Sequence, residues 1–216
     1  MQQILILPNP ATGHAHAADL DTCLDFVNTL SYTDGFAVEG LPTVDDGVTF
    51  LASRGIAHEP DLRAQIARDG DARWLARLHG VRDAIRETWD AQVDHHAPSQ
   101  AALSTINGVL REAPRIELVI GDSCCGIDHR HTADDPTGEA LAALVQPFVN
   151  SVAAGETGKF RICANDGCRW VFEDNSRGGR RRWCDMSSCG NRAKVARYRS
   201  RHKADEHAGD EVPPAS

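Results

Sequence analysis

Cys163, Cys168, Cys184 and Cys189 are spaced C-x4-C-x15-C-x4-C, and this pattern constrains the chain more than any other feature. Two close pairs separated by fifteen residues suit a zinc ribbon, in which each pair sits on a tight turn and supplies two thiolates. The knuckles are two residues longer than the commonest C-x2-C type. Asn165-Asp166-Gly167 lies inside the first knuckle and Gly190 follows the second, so glycine is expected to give the backbone its freedom to turn around a metal. Trp170-Val171-Phe172 reads as a strand and Asn175-Ser176-Arg177-Gly178-Gly179 as a hairpin turn. The segment 159–203, about 45 residues, buries too little to fold on apolar packing alone. One structural Zn²⁺ supplies what it lacks, roughly 10–16 kcal/mol in small finger peptides. With all four positions taken by protein sulfur, no site remains for water, so the expected role is structural and not catalytic. Iron in the same tetrahedral cage, or four free or redox-active thiols, are the competing readings.

Charge divides the chain at the same place. Residues 1–158 hold 10 Lys and Arg against 23 Asp and Glu, whereas residues 159–203 hold 13 against 4. A net charge of −8 therefore hides a basic module of +9 between an acidic body of −13 and a tail, 204–216, of −4. Ser187-Ser188 offers an N-cap for a proline-free terminal helix bearing Arg192, Lys194, Arg197, Arg199, Arg201 and Lys203. A second basic group, Arg180-Arg181-Arg182, precedes Cys184. Arginine concentrated on a rigid scaffold matches phosphate geometry. The expected contacts are Arg192, Lys194, Arg197, Arg199 and Arg201, with Arg180, Arg181 and Arg182 as backbone clamps. A merely solvated basic face, or one that docks RNA or an acidic protein surface, is the alternative.

The body, 1–155, reads as mainly helical with a small antiparallel sheet, which with the C-terminal module makes an α+β chain. Short helices are expected over 46–55 and 60–69. From Asp71 to His95, the residues Trp74, Leu78, Val81, Ile85, Trp89 and Val93 recur at steps of three and four, one apolar stripe on a long helix. Arg82, Arg86, Asp83 and Glu87 are placed on its surface. Ser99 is a plausible N-cap for a helix over 100–112. Ile116, Leu118 and Ile120 alternate with Glu117 and Val119 as a half-buried strand, with a hairpin partner at 124–131. A last helix, 137–153, puts Leu141, Leu144, Val145, Phe148 and Val152 on one face, with Pro147 kinking or breaking it. Gly155-Glu156-Thr157-Gly158 reads as a hinge, and 204–216 as a disordered acidic tail.

No apolar run approaches the roughly 18–20 residues of a membrane helix, and Ile4-Leu5-Ile6-Leu7 is too short for a signal peptide. A cytoplasmic location follows as an expectation, with reduced thiols. No glycine-rich phosphate loop, nucleophile elbow or His-Glu-x-x-His is present, so no enzymatic activity is expected. His14 with His16, His129 with His131, and His95-His96 invite a second metal, yet such pairs are more often surface or hydrogen-bonded groups. Cys124-Cys125 reads as buried small residues, with a redox switch as the alternative, and Cys23 as core.

Cys189-Gly190-Asn191-Arg192, preceded by Arg182-Trp183-Cys184 and followed by the basic helix, resembles the CGNR zinc finger. Leu24-Asp25-Phe26-Val27-Asn28-Thr29 resembles the opening motif of the ABATE domain found before that finger. Together the resemblance spans nearly the whole chain and implies a zinc-dependent, DNA-binding transcriptional regulator connected with stress response. Asp25, Asn28 and Thr29 fall within about one helical turn and could line a pocket for a small-molecule effector. The plainer reading is that these motif residues cap or cross-link backbone around Phe26 and Leu24. One small module generally buries only about 600–1,000 Å² on DNA, so a homodimer through the body is expected.

Overall fold

The computed structural model describes residues 18–33, 36–113, 115–120, 125–130 and 135–208, with backbone alone for 115–120, 125–130 and 201–208. Its elements in chain order are α1 (Leu20–Val27), β1 (Leu30–Thr33), β2 (Phe36–Glu39), α2 (Val44–Ser53), α3 (Glu59–Asp69) and α4 (Asp71–Val93). There follow α5 (Gln100–Leu110), β3 (Arg115–Ile120), β4 (Cys125–Arg130), α6 (Pro136–Ala153), β5 (Phe160–Ile162), β6 (Val171–Glu173) and α7 (Asn191–Ala208). A 3-10 turn occupies Glu156–Lys159, where a hinge was expected, and a π turn occupies Met186–Gly190. The strands pair as three separate ribbons, β1 with β2, β3 with β4 and β5 with β6, in an α+β architecture. The chain divides into two units, Met1–Leu30 with Glu39–Gly158, and Ser31–Val38 with Lys159–Ser216.

The first unit is organised on α4. Its stripe of Trp74, Leu78, Val81, Ile85 and Trp89 is buried, as the three-four periodicity requires. Leu141, Leu144, Val145 and Phe148 of α6 are buried as well, and the Trp89 and Phe148 rings lie 6.1 Å apart. Burying one such ring contributes about 1.5–3 kcal/mol. From α1, Cys23, Phe26 and Val27 join this core. Helix α2 begins in a reciprocal capping box, with the Thr43 hydroxyl accepting from the Asp46 amide and the Asp46 carboxylate accepting from the Thr43 amide. A Cβ on Gly47 would stand 2.7 Å from both Leu78 and Trp74 side chains, so glycine lets α2 press close against α4. Gly70, at φ 95°, takes the left-handed turn that separates α3 from α4.

Several sequence expectations need correction. Helix α6 runs unbroken through Pro147, and Val152 on its last turn is 37% exposed where a buried position was expected. The ribbon β1–β2 was not anticipated; its four-residue strands are too short for alternation to register. Arg82, assigned to the surface of α4, is 2% exposed. It is buried because Glu39, at the end of β2, meets its guanidinium in a bidentate pair at 2.6 and 2.7 Å. Strands β3 and β4 pair antiparallel, with Arg115 opposite Arg130 and Ile120 opposite Cys125.

In the second unit, β5 and β6 pair antiparallel with Phe160 opposite Glu173 and Ile162 opposite Val171. The loop joining them is therefore the first knuckle, 163–170. The segment 175–179 turns the chain after β6 instead of closing the hairpin. It is organised by the carboxylate of Asp174, which accepts from the Ser176 amide and hydroxyl and from the Arg181 amide. Helix α7 continues to Ala208, five residues beyond the expected boundary with a disordered tail. Ala204 to Ala208 contain no glycine or proline, so helix propagation past Lys203 costs little. Residues 209–216 lie outside the described residues.

Candidate metal centre

The four cysteines reach one point from three kinds of local structure. Cys163 follows β5 directly, and its amide donates to the Trp170 carbonyl at 2.8 Å, extending the ladder by one bond. The chain then turns so that the Asn165 carbonyl accepts from both Cys168 and Arg169 amides. Arg169 closes this turn in the left-handed region at φ 52°. Neither Gly167 nor Gly190 has a positive φ, which corrects the expectation that glycine supplies the knuckles with backbone freedom. Gly190 instead supplies room, because a Cβ there would lie 2.8 Å from the Met186 sulfur. Cys184 precedes the π turn and Cys189 sits within it. The cap of that turn is Asp185, not the expected serines: its carboxylate accepts from the Ser187 amide at 2.8 Å and the Ser187 hydroxyl at 2.6 Å. Ser187 and Ser188 therefore act as donors to the cap.

The sulfur atoms of Cys163, Cys168, Cys184 and Cys189 all lie within 4.8 Å of one another. Cys168 and Cys184 are separated by 3.7 Å, Cys184 and Cys189 by 3.9 Å. A tetrahedron with metal–sulfur bonds of about 2.3 Å has edges of about 3.8 Å, so the donor set has the size of a zinc or iron cage. The separations are far beyond the roughly 2.05 Å of a disulfide. Cys163 and Cys189 are buried and pack with Phe172, and partly buried Trp183 packs against the same cluster.

Electrostatics call for a cation at this point. Burial pushes the Cys168 thiol up to about 11, with the neighbouring Cys163 sulfur adding to it. The Cys184 thiol is raised further, by burial first and then by the Cys163 and Cys168 sulfurs. Cys189 runs the other way. Burial opposes its ionisation, but the Asn165 amide, donating to its sulfur at 3.4 Å, and the surrounding thiols outweigh that and lower its pKa. Asn165 thus belongs to the first knuckle while supporting a ligand of the second. Sequence reading placed it only as a turn residue. Four thiolates this close become compatible once a divalent ion neutralises them, and the four residues fit such an ion as its complete ligand set.

The basic residues divide into two groups. Arg181 is tied into the module: its guanidinium donates to the Cys184 carbonyl and lies 5.0 Å from the Phe172 ring centre. Arg182 lies over the Trp183 ring at 5.1 Å. Arg180, Arg192, Lys194, Arg197 and Arg199 are exposed, and none forms an ion pair among the described residues. Arg201 is placed by its backbone on α7.

Asp25, Asn28 and Thr29 each have a bonding partner around the end of α1. Asp25 is exposed and pairs with Arg54 at 3.2 Å. Asn28 is the C-cap of α1, its amide bonded to the Leu24 and Phe26 carbonyls, and the Thr29 hydroxyl donates to the Phe26 carbonyl at 2.7 Å. Thr29 also accepts from Arg82 at 3.3 Å. Two cavities of this unit are lined, one by Thr43, Asp45, Arg63 and Asp71, another by Gln65, Arg73, Trp74, Arg77 and Glu112. His95 and His96 form a helix stop. His95 adopts φ 57° and the His96 amide bonds back to the Ala91 carbonyl at 3.0 Å. His14, His16, Cys124 and His131, and the side chains of Cys125 and His129, lie outside the described residues. Cys23 is 1% exposed, as expected of core.

Comparison with known families gives two matches that together cover most of the chain. Residues 20–156 match ABATE, described as "Putative stress-induced transcription regulator". Residues 159–202 match the CGNR zinc finger. No curated protein matches the chain significantly. Among the described residues, no helix is long and apolar enough to cross a membrane.

Proposed function

From the premise that this chain belongs to the ABATE family and ends in a CGNR zinc finger, we propose that it is a zinc-dependent, DNA-binding transcriptional regulator whose single zinc ion is structural. The observation that carries the reading is the convergence of four cysteine sulfurs within 4.8 Å, at the root of a helix on which Arg192, Lys194, Arg197 and Arg199 are exposed. Four sulfur donors complete a tetrahedron and leave no open position for substrate, which favours a scaffold over a reaction centre. The ion's contribution is to lock β5, β6 and the π turn into one rigid body. The chain's own residues then do the binding: α7 presents Arg192, Lys194, Arg197, Arg199 and Arg201 to phosphate, and Arg180 adds a cation from the loop before Cys184. Arg181 and Arg182 have a second duty in this reading, holding the loop against Phe172 and Trp183. The helical body is assigned dimerisation and any effector response, and no reaction is assigned to it.

The test is metal analysis paired with duplex binding over a salt series, for the natural protein and Cys184→Ser. About one zinc per chain is expected. Binding should weaken with a log–log salt slope near −4 to −5 for about five neutralised phosphates. Cys184→Ser should lose both metal and duplex affinity. Duplex binding indifferent to salt, or fully retained without metal, overturns the reading.

A further inference from the structure

The turn after β6, Asn175 to Arg182, holds four arginines in eight residues and no acid. It is braced at its base. The carboxylate of Asp174, 3% exposed, accepts from the Ser176 amide at 3.0 Å, the Ser176 hydroxyl at 2.6 Å and the Arg181 amide at 2.8 Å. The Gly179 amide donates to the Ser176 carbonyl at 3.1 Å, and the Arg161 guanidinium donates to the Gly179 carbonyl at 3.0 Å. Two of the four arginines are engaged within the module, Arg181 by the Cys184 carbonyl and the Phe172 ring, Arg182 by the Trp183 ring. Arg177 and Arg180 are exposed and have no partner among the described residues. They flank Gly178 and Gly179.

The fold asks different things of these two glycines. Gly179, at φ 57°, takes the left-handed conformation that favours glycine. Gly178 does not, and a Cβ on it would meet only the Arg180 Nε, at an ordinary 3.9 Å. Nothing within the protein therefore calls for glycine at 178. The missing side chain leaves a bare stretch of backbone between two free guanidinium groups, and such a stretch lets a ligand approach closely.

A thin ridge with a cation at each end complements a narrow, negative cleft. The minor groove of B-form DNA is about 6 Å wide, against about 12 Å for the major groove, which a bare chain would leave largely empty. Neighbouring strands lie about 5 Å apart, so a chain without side chains is of the smaller width. In A/T-rich tracts the minor groove narrows and its negative potential deepens, which draws arginine in. Guanidinium is more weakly hydrated than ammonium and so enters such a cleft at lower cost, and both free cations of the turn are arginine. Duplex RNA offers a wide, shallow minor groove instead.

We propose, resting on the DNA-binding reading above, that Arg177 and Arg180 enter the minor groove of an A/T-rich duplex, with Gly178 and Gly179 lying across its mouth. A·T and T·A look alike from that side, so the turn selects base composition and groove width and not a spelled sequence. The Asp174 and Arg161 bonds shape it before DNA arrives, which lowers the ordering cost of binding.

The full-length, zinc-loaded protein tests this with three duplexes of about 25 bp that differ only in a central block of A·T, G·C or inosine·C pairs. Inosine lacks the guanine N2 amino group, so its pair presents a minor groove like that of A·T and a major groove like that of G·C. The A·T and inosine duplexes should bind about tenfold more tightly than the G·C duplex. Arg177→Lys/Arg180→Lys should keep the salt slope and lose that preference. Arg177→Gln/Arg180→Gln should lose the preference and flatten the log–log slope by about two. Gly178→Leu should bring A·T affinity down to the G·C level. Zinc content and far-UV circular dichroism verify that each variant is folded. Minor-groove entry is overturned if the three duplexes bind alike or if the inosine duplex behaves as G·C. It is equally overturned if the lysine variant keeps the preference, which places the cations on phosphates, or if duplex RNA competes as well as the A·T duplex. Those results leave salt-dependent DNA binding intact; absence of any salt-dependent duplex binding by the natural protein sinks both proposals together.

Discussion

Replacing Glu39 by glutamine keeps the shape of the side chain and removes one charge from the pair it makes with Arg82. The two bonds measure 2.6 and 2.7 Å, and the arginine side chain is 3% exposed against 29% for the glutamate. Stripping the partner from a fully buried ion costs about 3–5 kcal/mol. Water reaches Glu39 from one side, so the expected cost is about 2–3 kcal/mol, a loss of roughly 30- to 140-fold in the folded-to-unfolded ratio. Urea unfolding followed by far-UV circular dichroism, dominated by the body helices, measures it at pH 7. The pH dependence carries a sign. Burial works to raise the Glu39 pKa, but the Arg82 hydrogen bonds, the Leu41 amide and the neighbouring cations together hold it below its ordinary value. The pair's contribution is thus fully present above the unfolded value, near 4.5, and disappears as pH falls through the depressed folded value. The gap between natural protein and variant should therefore narrow only in acid. A gap under 0.5 kcal/mol at pH 7, or one unchanged down to the acid limit of folding, would refute the argument. Glu39→Met/Arg82→Met, which leaves no orphaned charge, should recover much of the loss.

Gly47→Ala should destabilise the body by about 1–3 kcal/mol in the same urea assay, because its new methyl would meet Trp74 and Leu78 at 2.7 Å. Asn165→Ala should weaken zinc binding by about 10- to 100-fold in a competition titration, since it removes the amide donor to the Cys189 sulfur. Zinc affinity should fall steeply as the solution is acidified, because the Cys168 and Cys184 thiols, both raised by burial and neighbouring sulfur, must give up their protons to the metal. A chelator should unfold the finger and abolish duplex binding while leaving the Trp89–Phe148 core protected from hydrogen exchange.

How much of this was legible in the sequence depends on whether a signal is local. The stripe on α4 and the cap at Ser99 could be read because a helix carries its own period and its own start signal. The four cysteines could be read because metal ligands must come in turn-sized pairs. Arg82 could not, since its burial is decided by Glu39, 43 residues away. The same holds for Asn165, whose amide serves a sulfur 24 residues on. Asp185 was passed over as a cap in favour of two nearby serines, although both residue types favour that position; only the geometry of the carboxylate distinguishes acceptor from donor. Asp25, Asn28 and Thr29 share a short motif, yet a helix end pulls them to different tasks.

The π turn gives the metal its leverage over α7. In Met186–Gly190 the Gly190 amide reaches back to the Asp185 carbonyl at 3.0 Å, and the Asn191 amide reaches back to Met186, each spanning one residue more than an α-helical bond. That extra residue lets Cys189 join the other three sulfurs while the chain beyond Asn191 proceeds as regular helix. The ligand and the first turn of α7 are thus one continuous hydrogen-bonded piece, so the position of the ion sets the origin and direction of the helix axis. Exposed Val195 and Tyr198 show that the helix does not depend on a core of its own along its middle turns. A longer apolar interface could have fixed α7 as firmly, but only by covering side chains that here stay open. Anchoring one end on the sulfur cluster leaves Arg192, Lys194, Arg197 and Arg199 exposed along the helix.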